Sequence, residues 1–131
     1  MGFSLEIITP KGIYFTDEVE SLTIKMTTGY RTFLAGHMPL IGSLDYAPMH
    51  LVRKGKMEHF AVHGGAINVT KEKMTVICNA IESADEIDKK RALAAKERAE
   101  KRLKEKDPDT DLKRAQLALQ RSLIRLEVLD K

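Results

Sequence analysis

Leu22, Ile24 and Met26 alternate with Ser21, Thr23 and Lys25, the two-residue period of a strand with one buried face. Upstream, Leu5, Ile7 and Ile8 lead into TPKG, a turn segment from Thr9 to Gly12. Downstream, HLVRKGKMEHFAVHGGAINVTKEKMTVIC, from His50 to Cys78, predicts three or four more short strands. Gly55, the Gly64–Gly65 pair and the polar stretch Lys71–Lys73 punctuate it. Turn signals recur about every 8–12 residues with no helical period between them, which is the spacing of an antiparallel sandwich or barrel.

Near Glu86 the pattern changes. The chain becomes a dense mixture of Ala, Leu, Lys, Arg and Glu, with no glycine after Gly65 and no aromatic after Phe60. Ser83 stands three residues before Glu86, a capping-box spacing, with Asp85 as an alternative cap. A first helix is predicted over roughly 86–105. KDPDTD breaks it, and Pro108 suits the first position of a second helix, capped by Asp107 and running to about 129. A short link between two helices of similar length implies an antiparallel hairpin. The expected fold is therefore α+β, with an antiparallel β-sandwich domain at 1–85 followed by a two-helix hairpin domain at 86–131.

At about 100° per residue, the first helix places Asp88, Ala92, Ala95, Ala99 and Leu103 along one side, where small residues let another helix approach closely. Arg91, Arg98 and Arg102 run beside that seam. On the second helix, Leu112, Ala115, Leu119, Leu123 and Leu126 form the main apolar face, and Arg114, Arg121 and Arg125 a separate stripe. A lesser apolar stripe, Leu117, Ile124 and Val128, needs another partner: the sandwich, another subunit, or each in turn.

Charge sharpens this division. Residues 86–131 carry 14 Lys and Arg against 10 Asp and Glu, whereas residues 1–85 carry 8 against 9, so the basic excess belongs to the helices. Charge runs on helices usually cover a solvated face. The sharper possibility is an anion pocket between the hairpin arms, where arginine forks meet phosphate oxygens and Asp88 accepts from a base or ribose. Nucleic acid is not expected, because the basic residues are mixed with acids and lack an aromatic for stacking. No catalytic constellation, phosphate loop or dinucleotide fingerprint appears. His50, His59 and His63 lie in or near strands, without a companion cluster at metal-ligand spacing. The single cysteine, Cys78, reads as a buried apolar residue in a reducing compartment. No apolar run is long enough to cross a membrane, and neither a signal peptide nor a myristoylation pattern is expected at the start.

LEIITPKGIYFTDEVESL, then GYRTFLAGHMPL (Gly29 to Leu40), VHGGAINV (Val62 to Val69) and EIDKKRA (Glu86 to Ala92) before a helical pair resemble the epsilon subunits of bacterial F-type ATP synthases over essentially the whole chain. The resemblance implies a non-catalytic rotor-stalk subunit that couples proton transport to ATP synthesis. Its sandwich would bind the gamma subunit and the c-ring on the cytoplasmic face of the bacterial membrane, peripherally. Its hairpin would fold against the sandwich or extend into the catalytic alpha/beta head and inhibit ATP hydrolysis. ATP is implied as a regulatory ligand of the folded hairpin, with no obligatory cofactor. The matching positions are Glu82, Asp88, Arg91, Ala92, Arg98, Arg121 and Arg125. His37 matches the loop expected to meet the c-ring and is the candidate ring contact. Tyr30 and Ala35 depart from the family pattern, which usually has an acidic residue and a proline there. From the residues alone, the competing reading is a β-sandwich adaptor whose basic helical arm binds an anionic partner.

Overall fold

The computed structural model describes residues 2–105, 108–109 and 111–130. Strands β1 (Phe3–Thr9), β2 (Gly12–Val19), β3 (Ser21–Met26), β4 (Gly29–Leu34), β5 (Leu40–Arg53), β6 (Lys56–Val69), β7 (Lys73–Cys78) and β8 (Ile81–Ser83) come first. A 3-10 turn over Ala84–Glu86 leads to the helices α1 (Lys89–Glu105) and α2 (Leu112–Leu129). The strands pair in the order β2-β1-β7-β6-β5-β3-β4, with β8 added to β6. The β1–β7 pair is parallel; the other pairings are antiparallel.

This single path folds over on itself. Leu5 and Ile7 from β1, Met74 and Val76 from β7, and Leu22, Ile24 and Phe33 from β3 and β4 all join one buried cluster. Strands distant in the pairing order thus share a core, which defines a sandwich. β3 alternates as its sequence predicts, with Leu22, Ile24 and Met26 buried. Cys78 belongs to the same core, and burial pushes its thiol up to about 12, so it is an inert apolar residue.

The segment from His50 to Cys78 is less fragmented than its punctuation suggests. β5 and β6 are each 14 residues long. Gly64–Gly65 is not a turn but an interruption within β6, where the strand changes partner. Phe60–Val62 pairs with β8, whereas Gly65–Val69 pairs with β7. Gly65 has φ +146°, and a Cβ there would stand 1.9 Å from the Ile77 carbonyl oxygen. Only glycine permits that crossover.

The helices begin later than the sequence suggests. Ser83 and Glu86 do form a local bond, the Ser83 N–H donating to Glu86 Oε1 at 3.0 Å, but it stabilises the 3-10 turn. Ile87 then adopts an extended backbone, and α1 starts at Lys89. Asp88 caps it, accepting from the Arg91 N–H at 3.1 Å. α2 starts at Leu112, capped by Asp111, whose carboxylate accepts from the Arg114 N–H at 3.1 Å. Asp107, the expected cap, lies outside the described residues, and Pro108 sits in the turn.

The two apolar stripes of α2 are each buried in part, since Ala115 of the main stripe is buried and its Leu119 and Leu126 are half-buried. Ile124 and Val128, the lesser stripe, are 5% and 1% exposed and pack with Ala61 and Ile87 against the sandwich. Leu112 and Leu123, from the stripe read as dominant, are 48% and 45% exposed. The physical reason is a division of partners. The sheet accepts branched side chains, whereas α1 offers alanines and accepts only small ones. Ala92 and Ala99 of α1 and Ala115 and Ser122 of α2 are all buried. Ser122 satisfies its hydroxyl within its own helix, on the Ala118 carbonyl at 2.9 Å. Ala99→Leu is accordingly expected to destabilise the hairpin by about 1–3 kcal/mol through overpacking, while the sandwich core is untouched. Hydrogen exchange should show lost protection in α1 and α2 and unchanged protection in β5 and β6.

Candidate functional site

Where β8 hands over to the helices, the sandwich and hairpin enclose a cleft of about 460 Å³. β8 supplies Glu82 and the 3-10 turn supplies Glu86. Asp88, Arg91, Ala92 and Arg98 come from the cap and first turns of α1, and Arg125 comes from α2. The volume lies in the range of small-molecule sites. The short residues Ala92, Ala94 and Ala95 leave the floor open.

Of the expected site residues, Glu82, Asp88, Arg91, Ala92, Arg98 and Arg125 all line this cleft. Arg121 does not; it stands one helical turn before Arg125, close enough to His63 for its charge to act on that ring. The expected arginine stripe on α2 also divides, with Arg114 at the hairpin tip beside Arg102, Asp109 and Asp111. Asp88 is not free to face a ligand with its whole carboxylate, because one oxygen caps α1. The expectation that Ser83 or Asp85 would take that duty fails because the chain is extended at Ile87, which ends the 3-10 turn before α1 begins.

Three acids and three arginines face one another here, so the cleft is polar without a large net charge. Arg125 Nε–H donates to Glu82 Oε1 at 2.6 Å, a charge-assisted bond that ties α2 to β8. Glu86 is held by the Tyr14 hydroxyl and the Ser83 N–H. The Tyr14 bond, followed by the Ser83 bond, keeps the Glu86 carboxyl below its usual range. Burial, then that carboxylate, pushes the Tyr14 phenol up to about 12. Tyr14 therefore stays protonated and pins the acidic rim from the sandwich side. Arg91 and Arg98 are exposed, and their forks have room to turn toward an anion.

Two residues at this junction went unforeseen as site residues. Glu86 lines the cleft rather than only closing a helix cap. His63 is buried beneath the hairpin, with its Nε2 3.3 Å from Glu82 Oε1. Its spacing from Glu82 carries no motif; only the pairing of β6 with β8 brings the two together. The other strand histidines stand apart from it. His50 and His59 are direct partners across β5 and β6, with ring centres 5.7 Å apart.

His37 lies at the opposite end of the sandwich, in the β4–β5 loop. Its Nδ1 is 2.6 Å from the Leu34 carbonyl oxygen, and its ring meets Phe3 and Phe33 edge-on. It thus holds the loop from within, while Met38 and Ile41 project outward at 82% and 79% exposure.

Similarity to known proteins follows the same two parts. The family "ATP synthase, Delta/Epsilon chain, beta-sandwich domain" matches residues 2–84, and "ATP synthase, Delta/Epsilon chain, long alpha-helix domain" matches residues 85–130. The ATP synthase epsilon chain of Bacillus velezensis is 40% identical over 124 residues, covering 95% of this chain and 94% of that protein. Its counterpart in Clostridium novyi is 40% identical over 128 residues, covering 97% of each. That of Caldicellulosiruptor saccharolyticus is 36% identical over 129 residues, covering 98% of this chain and 94% of that protein. The fold resembles a chain in the cryo-EM structure of the Euglena gracilis mitochondrial ATP synthase, at TM-score 0.84 and 20% identity, covering 99% of this chain and 82% of that one. It also resembles one in the central stalk and c-ring of the Tetrahymena thermophila enzyme, at TM-score 0.64 and 13% identity, covering 98% and 97%.

Proposed function

This chain belongs to the ATP synthase delta/epsilon family, and from that premise we propose that it is a regulatory and structural subunit whose hairpin switches under the control of ATP. The sandwich serves as the fixed part. It binds the gamma subunit and the c-ring, and so takes part in coupling proton transport to ATP synthesis. The hairpin serves as the moving part. Docked, it leaves hydrolysis free; extended into the catalytic alpha/beta head, it inhibits hydrolysis. ATP in the cleft between them favours the docked form. The role is non-catalytic, and the subunit is held peripherally on the cytoplasmic face of the bacterial membrane through its partners. No helix among the described residues is long and apolar enough to cross a membrane.

One observation carries the nucleotide assignment. Arg91 and Arg98 from α1, Arg125 from α2 and Glu82 from the sandwich line one cleft in the docked hairpin, and undocking would separate Glu82 from the arginines. A ligand that needs all of them binds the closed form alone, and the closed form then gains population by mass action. At ten times its dissociation constant, such a ligand contributes about 1.4 kcal/mol to docking, a tenfold shift. Two short helices with an alanine seam form a marginal unit on which such a shift is decisive.

At the far end, Met38 and Ile41 offer apolar surface to the c-ring. His37 shapes that loop rather than leading the contact. Tyr30, at a position where the family usually has an acid, is 56% exposed and leans toward the hairpin side, with its hydroxyl 3.4 Å from the Pro48 carbonyl oxygen. The competing adaptor reading loses its ground to the family match over both domains.

Calorimetric titration of the isolated chain tests the nucleotide assignment. ATP is expected to bind at one site and to slow hydrogen exchange in α1 and α2. An absence of heat and of protection at millimolar ATP would show that the arginines merely cover a solvated face.

A further inference from the structure

His63, on β6, is 1% exposed. Three elements close over it. From β8, Glu82 Oε1 lies 3.3 Å from its Nε2. From α2, Arg125 donates to that same oxygen, and Arg121 acts on the ring through its charge. From β5, the Tyr46 ring stands with its centre 6.2 Å away. Its Nδ1 has no hydrogen-bond partner among the described residues.

The tautomer follows from this geometry. Nε2 carries the hydrogen and donates to Glu82, while Nδ1 presents a bare lone pair. A second proton would create an N–H at Nδ1 with no acceptor, in a place closed to water. It would also set a cation beside two arginines. Both consequences oppose protonation while the hairpin is docked. Glu82 pulls the other way, but it already accepts from Arg125. Burial leads the balance and holds the pKa of the ring below the ordinary imidazole range.

We propose that His63 is a positioning residue for the Glu82–Arg125 contact, and that its neutral imidazole favours the docked hairpin over the undocked one. Undocking removes Arg121 and Arg125 and admits water to the ring, so opening and proton uptake are linked. The sign is fixed by a docked pKa below the undocked one. Docking is fully favoured above about pH 6.5 and weakens as pH falls toward the docked value, by at most about tenfold per pH unit. The linkage needs no nucleotide. If the extended hairpin inhibits hydrolysis, as proposed above, acidification restrains hydrolysis alongside loss of ATP; that consequence alone rests on the earlier proposal.

The test uses the full chain without nucleotide. Hydrogen exchange in α2, corrected for intrinsic chemistry, is compared between about pH 7.5 and about pH 5.5. Ring carbon shifts follow His63 over the same range. The expected result is a loss of α2 protection of up to about tenfold at the acid end, with β6 and β7 unchanged, and a His63 midpoint below 6.5. His63→Gln keeps a donor for Glu82 but takes up no proton, so its α2 protection should be flat with pH. A native chain whose α2 protection is constant, or a variant that keeps the acid loss, overturns the proposal. The ring titration requires no variant, and a midpoint at or above 6.5 overturns it equally.

Discussion

Arg125→Ala should weaken ATP binding by about 10–100-fold, the loss expected when a charge-assisted contact worth roughly 1.5–3 kcal/mol is removed. Two losses combine at this residue. Its side chain lines the cleft, so one fork for phosphate oxygen goes. It also holds Glu82 Oε1 at 2.6 Å, so the docked hairpin itself loses a tie to β8. Arg125→Lys separates the two. Lysine restores the charge but not the planar fork, so recovery should be partial. Arg91→Ala should cost less, because Arg91 is exposed and has no part in tying α2 to β8. Calorimetry on the three variants, with hydrogen exchange of α2 as the docking readout, checks the order. Equal ATP affinity in the native chain and Arg125→Ala would place the nucleotide elsewhere.

The sandwich was legible where a strand carries one buried face, as β3 does. The alternation through Leu22, Ile24 and Met26 survives folding unchanged, since a one-residue slip would turn all three toward solvent. What stayed hidden was continuity. Gly64 and Gly65 break local periodicity, yet the long partner strand β5 carries the chain through them. Pairing distant in sequence decides that, and local composition does not record it. The parallel pairing of β1 with β7 was hidden for the same reason.

The helices were legible as helices, but not in their starts or in their choice of faces. Asp88 and Ser83 are both chemically fit to cap, and only the extended backbone at Ile87 selects Asp88 for α1. On α2, a main and a lesser apolar stripe compete for partners. The alanines of α1 decide between them, because a close helix approach leaves the larger Ile124 and Val128 for the sheet. The arginine stripes pointed to a pocket between the hairpin arms, and the family resemblance supplied the residue set. The cleft's arginines sit on separate helices, and no local pattern joins them to Glu82. Arg121 satisfied the pattern and still missed the cleft, since one turn along α2 carries it toward His63 instead.

A chain ended after Glu86 should fold as a β-domain, keep its partner contacts, and lose all control of hydrolysis by the hairpin. The main core explains the first expectation. Its buried members run from Leu5 to Ile81, and none lies in the helices. Retaining Glu86 matters, because it keeps the bonds to Ser83 and Tyr14 that finish the sandwich at β8. What the cut uncovers is small: Ala61, with Tyr46 and Ala84 at its border, from the cluster that Ile124 and Val128 complete. His63 also meets water and regains an ordinary titration, which relieves its unpartnered Nδ1 rather than straining the fold. The loop bearing His37 and Met38, with Ile41 at the start of β5, lies at the far end and is unaltered. A cooperative thermal transition and retained assembly into the ATP synthase should therefore accompany hydrolysis that no longer responds to ATP depletion. An unfolded product would refute the two-part architecture. A folded product that assembles and leaves hydrolysis regulated as before would remove the hairpin from the inhibitory mechanism.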